Sequence, residues 1–249
     1  MKRQNIIITG ASSGLGQEMA KQFAAQNRNL VLCARRIDNL QSLQQELLNQ
    51  NNNIQVDIVE LDVNDHDKVF SVFKNAKQKF GHIDRVIVNA GIGKGASIGT
   101  GYFNANKETA MTNFIAALAQ CEAAMEIFRE QNHGHLVTIS SVSSQRGFRK
   151  SFNVYAATKA AIASLTEGIR IDVLDTPIKV TTIHPGYIAT EITDPDKKLP
   201  FIVDVKTGTK AIVNSIEKEV DVAFLPKFPW AIMRYVLRVL PLSIMRRFS

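Results

Sequence analysis

The sequence is poor in cysteine, has no long apolar run, and lacks acidic residues at its C-terminal end. Among 249 residues only Cys33 and Cys121 are cysteines. Cys33 lies in the apolar run Leu30–Ala34 and Cys121 in an alanine-rich stretch, so both read as buried thiols. Two isolated thiols exclude a disulfide framework and a cysteine-based metal site, and they fit a reducing cytoplasm. No run of eighteen apolar residues occurs, which excludes a membrane-crossing helix. The basic start Met1–Asn5 meets only three apolar residues before a glycine turn, so it does not read as a signal peptide. No repeat, low-complexity linker or second domain is visible. The tail 226–249 holds Lys227, Arg234, Arg238, Arg246 and Arg247 with no Asp or Glu, and so supplies +5 of the formal +7. A nearly balanced body with a basic tail argues against nucleic acid as a partner and for a role specific to the C-terminus.

The remaining composition is that of one large α/β domain, long enough to bury a substantial core. Ile6–Ile8 reads as a buried strand ending at Thr9. Gly10, Gly14 and Gly16 then lead through Ala11, Ser12, Ser13 and Leu15 into a helix over Gln17–Gln26. A strand, a glycine turn and a helix N-terminus in that order make a site for a pyrophosphate, because backbone N–H groups can approach it closely. Further strands are expected at Asn29–Ala34, Ile54–Leu61, Arg85–Gly91, His135–Ser140 and Lys179–His184. Helices are expected between them, including long ones over Lys107–Arg129 and Asn153–Leu174. Such alternation predicts a parallel sheet covered on both faces, a single Rossmann-type doubly wound domain over 1–225. Residues 226–249 read as an appended basic, apolar tail.

In such a sheet ligands bind beyond the carboxyl ends of the strands. Those ends carry the glycine turn, Arg35 and Arg36, Asp62 and Val63, Asn89-Ala90-Gly91, Ser140–Ser144, and Pro185-Gly186. An enzyme using NAD places an acid near the end of the second strand. Here Ala34-Arg35-Arg36 stands there, and two guanidinium groups favour the 2′-phosphate of NADP. Asp62 either meets the adenine or caps a turn. Asn89–Gly91 either lies against a ribose or merely turns the chain. Tyr155 and Lys159, four apart on a helix, share a face. A cation beside the phenol, joined by a positive nicotinamide, would lower its pKa towards acid/base use. His133, His135 and His184 form no metal pattern and read as structural.

Taken together, Thr9-Gly10-x-x-x-Gly14-x-Gly16, Asn89-Ala90-Gly91, Ser140-Ser141, Tyr155-x-x-x-Lys159 and Pro185-Gly186 resemble the short-chain dehydrogenase/reductase family over roughly residues 3–192. The resemblance implies that Tyr155 is the proton donor, and that Lys159 lowers its pKa and holds the nicotinamide ribose. It implies that Ser141 bonds the substrate oxygen and that Asn113 fixes a relay water. Pro185 and Ile188 would lie against the nicotinamide, Thr190 would reach its carboxamide or the phosphates, and Arg35 would select NADP. Ser141 lies one residue further from the tyrosine than in many relatives, with Ser140, Ser143 and Ser144 as neighbours. The expected activity is hydride transfer between NADP(H) and a small-molecule carbonyl or alcohol, lipophilic if the tail meets a membrane, with a non-catalytic NADP-binding sensor as the alternative. An epimerase of the longer family branch would need an extra substrate domain. A homodimer or homotetramer built on the alanine-rich helices is implied. Selectivity is expected in the Ile92–Gly101 loop, the Ala189–Asp204 segment and the tail. Arg234 and Arg238 form a basic stripe there, with Trp230 and Tyr235 as interfacial aromatics. The tail has three open roles: lid, subunit interface, or peripheral contact with a membrane surface.

Overall fold

The computed structural model describes residues 3–191, 193 and 199–248. Seven parallel strands form one sheet: β1 (Asn5–Thr9), β2 (Asn29–Ala34), β3 (Val56–Glu60), β4 (Arg85–Val88), β5 (Gly134–Ile139), β6 (Ile178–Pro185) and β7 (Val222–Leu225). Their order is β3-β2-β1-β4-β5-β6-β7. The strand order reverses between β1 and β4, which opens a crevice at the carboxyl ends of those two strands. Sequence reading finds six of the seven strands. The seventh, Val222–Leu225, is a four-residue edge strand, and the helix before it, Val205–Glu217, also went unread.

Alternation along the strands sorts the core into two layers. Ile6 and Ile8 join Leu30, Leu32, Ile87, Val137 and Ile183 on one face. That face is covered by α1 (Gly14–Ala24), α2 (Ile37–Gln50) and α7 (Val205–Glu217). Ile7 joins Val31, Val86, Val88, Leu136 and Val180 on the other. There α3 (His66–Phe80), α5 (Ala116–Gln131) and α6 (Phe152–Asp172) pack. Ala116, Ala117, Ala123 and Ala124 of α5 are buried in this chain's own core, so they are not available to a second subunit.

The helix expected over Lys107–Arg129 is not continuous. It begins as α4 (Phe103–Ala110), widens into a π turn over Met111–Ile115, and resumes as α5. A π turn widens the ring of backbone bonds and commonly sits at functional sites. Asn113 lies in it.

The tail forms α8 (Lys227–Val239), kinked at Phe228, and α9 (Leu242–Phe248). Its inner side packs on the sheet edge and on the loop after β5. Trp230 is buried with Val142 and Phe224, against Tyr187 and Met233. Arg146 Nη1 donates to the carbonyls of Leu237 (2.9 Å) and Arg238 (3.0 Å). Those carbonyls end α8 and have no partner within the helix. The expected basic stripe is only partly there. Arg234 turns inward, its guanidinium 4.8 Å from the centre of the Phe224 ring, while Arg238 remains exposed. Trp230, expected at an interface, is a core residue.

Candidate active site

The crevice is a cleft of about 640 Å³, within the size range of small-molecule and cofactor sites. The glycine turn forms its floor. Gly10 (φ 63°) and Gly14 (φ 54°) adopt the left-handed conformation that side chains disfavour. A Cβ on Gly10 would stand 2.9 Å from Ala90 Cα. Ser13, the residue before α1, makes no side-chain cap, so the first N–H groups of that helix have no side-chain partner. Gly10, Ser12, Ser13, Gly14 and Leu15 line the cleft. Gly16 does not. It lies beneath, where a Cβ would come within 2.2 Å of the Gly10 carbonyl oxygen, so its part is to let α1 approach β1. Asn89 lines the cleft and also faces the turn. Its Nδ2 donates to the carbonyls of Thr9 (2.9 Å) and Gly10 (3.3 Å), tying the end of β4 to the end of β1.

Ala34, Arg35, Arg36, Asp62, Val63, Ala90 and Gly91 form the far wall. Arg35 is exposed there. Arg36 is engaged within the chain: Nε donates to Ser12 Oγ (3.2 Å), and Nη2 pairs with Glu191 (3.1 Å). Hydrogen bonds from Arg36 and Ser13 hold the Glu191 carboxyl below its ordinary range. Asp62 Oδ1 accepts from the backbone N–H of Asn64 at 3.0 Å, so one of its oxygens does cap a turn.

Tyr155 and Lys159 sit on α6 at the other end of the cleft. The Lys159 ammonium is 5.7 Å from the centre of the tyrosine ring and donates to the Ile139 carbonyl at 2.8 Å. Burial pushes its pKa down to about 8. Burial raises the phenol's, and a hydrogen bond with Ser141 pulls it back. The depression expected of Tyr155 is therefore not present in the protein alone, where desolvation outweighs the hydrogen bond with Ser141. Ser140 and Ser141 divide the work. Buried Ser140 Oγ donates to the Lys159 carbonyl at 2.7 Å, anchoring β5 to α6, while Ser141 faces the phenol. Asn113 clamps the backbone of Ile92: Oδ1 accepts from its N–H (2.8 Å) and Nδ2 donates to its carbonyl (2.9 Å). A Cβ on Gly91 would meet Asn113 Oδ1 at 3.2 Å and Lys159 Nζ at 3.6 Å, so glycine there lets the asparagine and the lysine converge.

Pro185, Gly186, Ile188 and Thr190 complete the near wall. Glu191 and Thr193 beside them fall in the expected Ala189–Asp204 segment, and Lys94 opposite in the expected Ile92–Gly101 loop, whereas sequence reading gave no site role to Tyr187, Asn64 or Thr112. Tyr187 directly follows a residue that was read, so continuing past the strand end would have found it. Residues 192 and 194–198 of the expected selectivity segment lie outside the described residues.

The histidines stay out of the cleft. His135 is buried, accepting from Arg85 Nε at Nδ1 (2.9 Å) with Nε2 on Thr181 Oγ1 (2.8 Å). His184 stacks on Phe224 and meets the Ser141 carbonyl at 3.1 Å. Burial lowers its pKa to about 4, so it holds the serine loop as a neutral ring. No cluster of metal-binding side chains occurs among the described residues.

Comparison with known proteins shows the family. Residues 4–199 match the family described as short chain dehydrogenase. An uncharacterized oxidoreductase of Mycobacterium tuberculosis is 49% identical over 247 residues, covering 99% of this chain and 98% of its own. The NADPH-dependent 3-quinuclidinone reductase from Rhodotorula rubra superposes with a TM-score of 0.79 at 25% identity, over 87% of this chain and 85% of that one. A short chain dehydrogenase/reductase from Burkholderia phymatum, solved with NAD, superposes with a TM-score of 0.84 at 19% identity, over 100% and 98%. The last likeness concerns the fold alone. The chain belongs to the short-chain dehydrogenase/reductase family and is an oxidoreductase of that family.

Proposed function

We propose that this protein is an NADP(H)-dependent reductase of carbonyl compounds, working through Tyr155. The observation that carries the reading is that Tyr155 and Lys159 line one end of a cleft whose other end is a glycine turn flanked by two arginines, with Ser141 bonded to the phenol and Asn113 behind the lining at Gly91 and Ile92. The residues present fit a dinucleotide. The glycine turn leaves no room for a Cβ at Gly10, and the uncapped start of α1 offers N–H groups to a pyrophosphate. Arg35 and Arg36 would hold the 2′-phosphate, Asp62, Val63, Ala90 and Gly91 the adenosine end, and Pro185, Gly186, Ile188 and Thr190 the nicotinamide. When bound, the cofactor supplies the hydride that reaches the carbonyl carbon.

The chain's own groups supply the rest. Tyr155 O–H donates its proton to the carbonyl oxygen, so that C=O gains one hydride and one proton and becomes an alcohol. Ser141 orients that oxygen. Lys159 replenishes or stabilises the phenol, and Asn113 shapes the path behind it. The phenol is protonated at neutral pH and so holds the proton that reduction requires. The catalytic body is residues 1–225, working in a reducing cytoplasm as a homodimer or homotetramer, and the substrate is lipophilic. An NADP-binding sensor would have no use for the four-residue constellation. The test is NADPH consumption across a panel of ketones and aldehydes. Turnover on any of them supports the enzyme; tight NADPH binding without turnover supports the sensor.

A further inference from the structure

The tail presents two unlike faces. Inward, Trp230, Leu237 and Met245 are buried. Outward, Ile232, Tyr235 and Val239 lie at helical spacing on α8, with Phe228 at its kink and Leu242 at the start of α9, and the exposures of Phe228, Ile232, Tyr235, Val239 and Leu242 are 77%, 60%, 56%, 80% and 75%. Five large exposed apolar side chains on one short segment mark an interaction surface. Lys227, Arg238 and Arg246 are exposed on the same two helices and form no ion pair among the described residues. Arg149 and Lys150, also exposed, adjoin them, since Arg149 Nη1 donates to the Arg246 carbonyl at 3.2 Å.

We propose that the outward face of α8 and α9 docks on an anionic lipid surface, with the helices lying in its plane. The charge decides the occupant. Pairing this face with a second copy about a two-fold axis would set one cationic tail against another, with no acid between 226 and 249 to answer it. An anionic leaflet neutralises those cations while the apolar stripe enters the boundary between headgroups and acyl chains. Among the described residues no helix is long and apolar enough to cross a membrane, so the contact is peripheral. Docking also has a consequence for the cleft. The buried side of α8 sets Trp230 edge-on to Tyr187, their ring centres 5.3 Å apart, and Tyr187 lines the cleft. The wall of the site thus stands one helix away from the lipid, a short route for a lipophilic substrate. That route rests on the catalytic reading; the docking surface does not.

Flotation of the full chain with phosphatidylcholine vesicles, with and without phosphatidylglycerol, tests the docking directly. Binding is expected only to the anionic vesicles, and salt should release it. Each basic residue near the surface contributes about a fivefold factor in partitioning. Lys227→Gln/Arg238→Gln/Arg246→Gln should therefore lower it on the order of 100-fold. Val239→Ser/Leu242→Ser should lower it about tenfold or more, with an unchanged melting temperature, because both side chains already face solvent. Equal binding to both vesicle types, or none at low salt, overturns the proposal. So does loss of a dimer in sedimentation equilibrium caused by the serine variant, which would assign the face to a second copy.

Discussion

Lys159→Met should make the fold more stable at neutral pH while removing function. The ammonium is buried and its pKa falls from 10.5 to about 8. Below pH 8 the folded state must therefore carry a charge that burial disfavours. The shift corresponds to about 3 kcal/mol. Between pH 8 and pH 10.5 the unfolded chain holds more protons than the folded one, so stability rises with pH across that window and the penalty is relieved. Methionine is of similar length and carries no charge. Its cost is the loss of the 2.8 Å bond to the Ile139 carbonyl, about 1–3 kcal/mol for a buried group left unmet. The net effect at pH 7 is a gain between zero and ~2 kcal/mol. The sharper quantity is the difference between the two proteins, in which the titration of all other groups cancels. Urea unfolding at pH 7 and pH 9.5 should show the native protein gaining about 2 kcal/mol on the variant. A difference independent of pH would refute the argument, and would mean that the lysine is not held in a desolvated position.

Two further substitutions probe the cofactor end. Gly16→Ala would force a Cβ to within 2.2 Å of the Gly10 carbonyl oxygen, a backbone atom. It should lower stability by ~1–3 kcal/mol and weaken NADPH binding, both read by thermal melting with and without cofactor. Ala34→Asp with Arg35→Ala should reverse a preference for NADPH over NADH, since each charge-assisted contact to a phosphate is worth ~1.5–3 kcal/mol. Equal affinity of the unaltered protein for both cofactors, measured by fluorescence titration, would remove Arg35 from that role.

Most of the sheet was legible because alternate residues such as Ile6, Ile7 and Ile8 must face one of two apolar layers. A run of that kind, bounded by glycine or polar residues, has few alternatives. The edge strand Val222–Leu225 carries the same signal over only four residues, one of them exposed, and it lacks a glycine motif to frame it. The cleft was legible for a different reason: its residues follow strand ends, and the fold gathers those ends at one edge. Spacing could not separate residues that point into the cleft from those that build it. Gly16 looks like a site residue in the chain yet lies beneath the cleft, while Asn89 and Ser140 line it and also join two elements. The π turn at Met111–Ile115 was invisible as well, since it changes backbone bonding without changing the apolar period enough to be read. The tail's amphipathic character was plain, but which basic residue faces outward was not. Arg234 and Arg238 have the same spacing signal, yet Arg234 lies over the Phe224 ring while Arg238 faces solvent.

The central claim is that Tyr155 is the proton donor of a carbonyl reduction. It is tested most directly by Tyr155→Phe, which removes the O–H and leaves the ring against Phe152, 5.9 Å away between centres. NADPH oxidation should then fall by at least the ~10²–10⁴-fold that general acid catalysis contributes, with NADPH affinity unchanged in fluorescence titration. A phenylalanine variant that turns over at a rate comparable to the native protein would contradict the account.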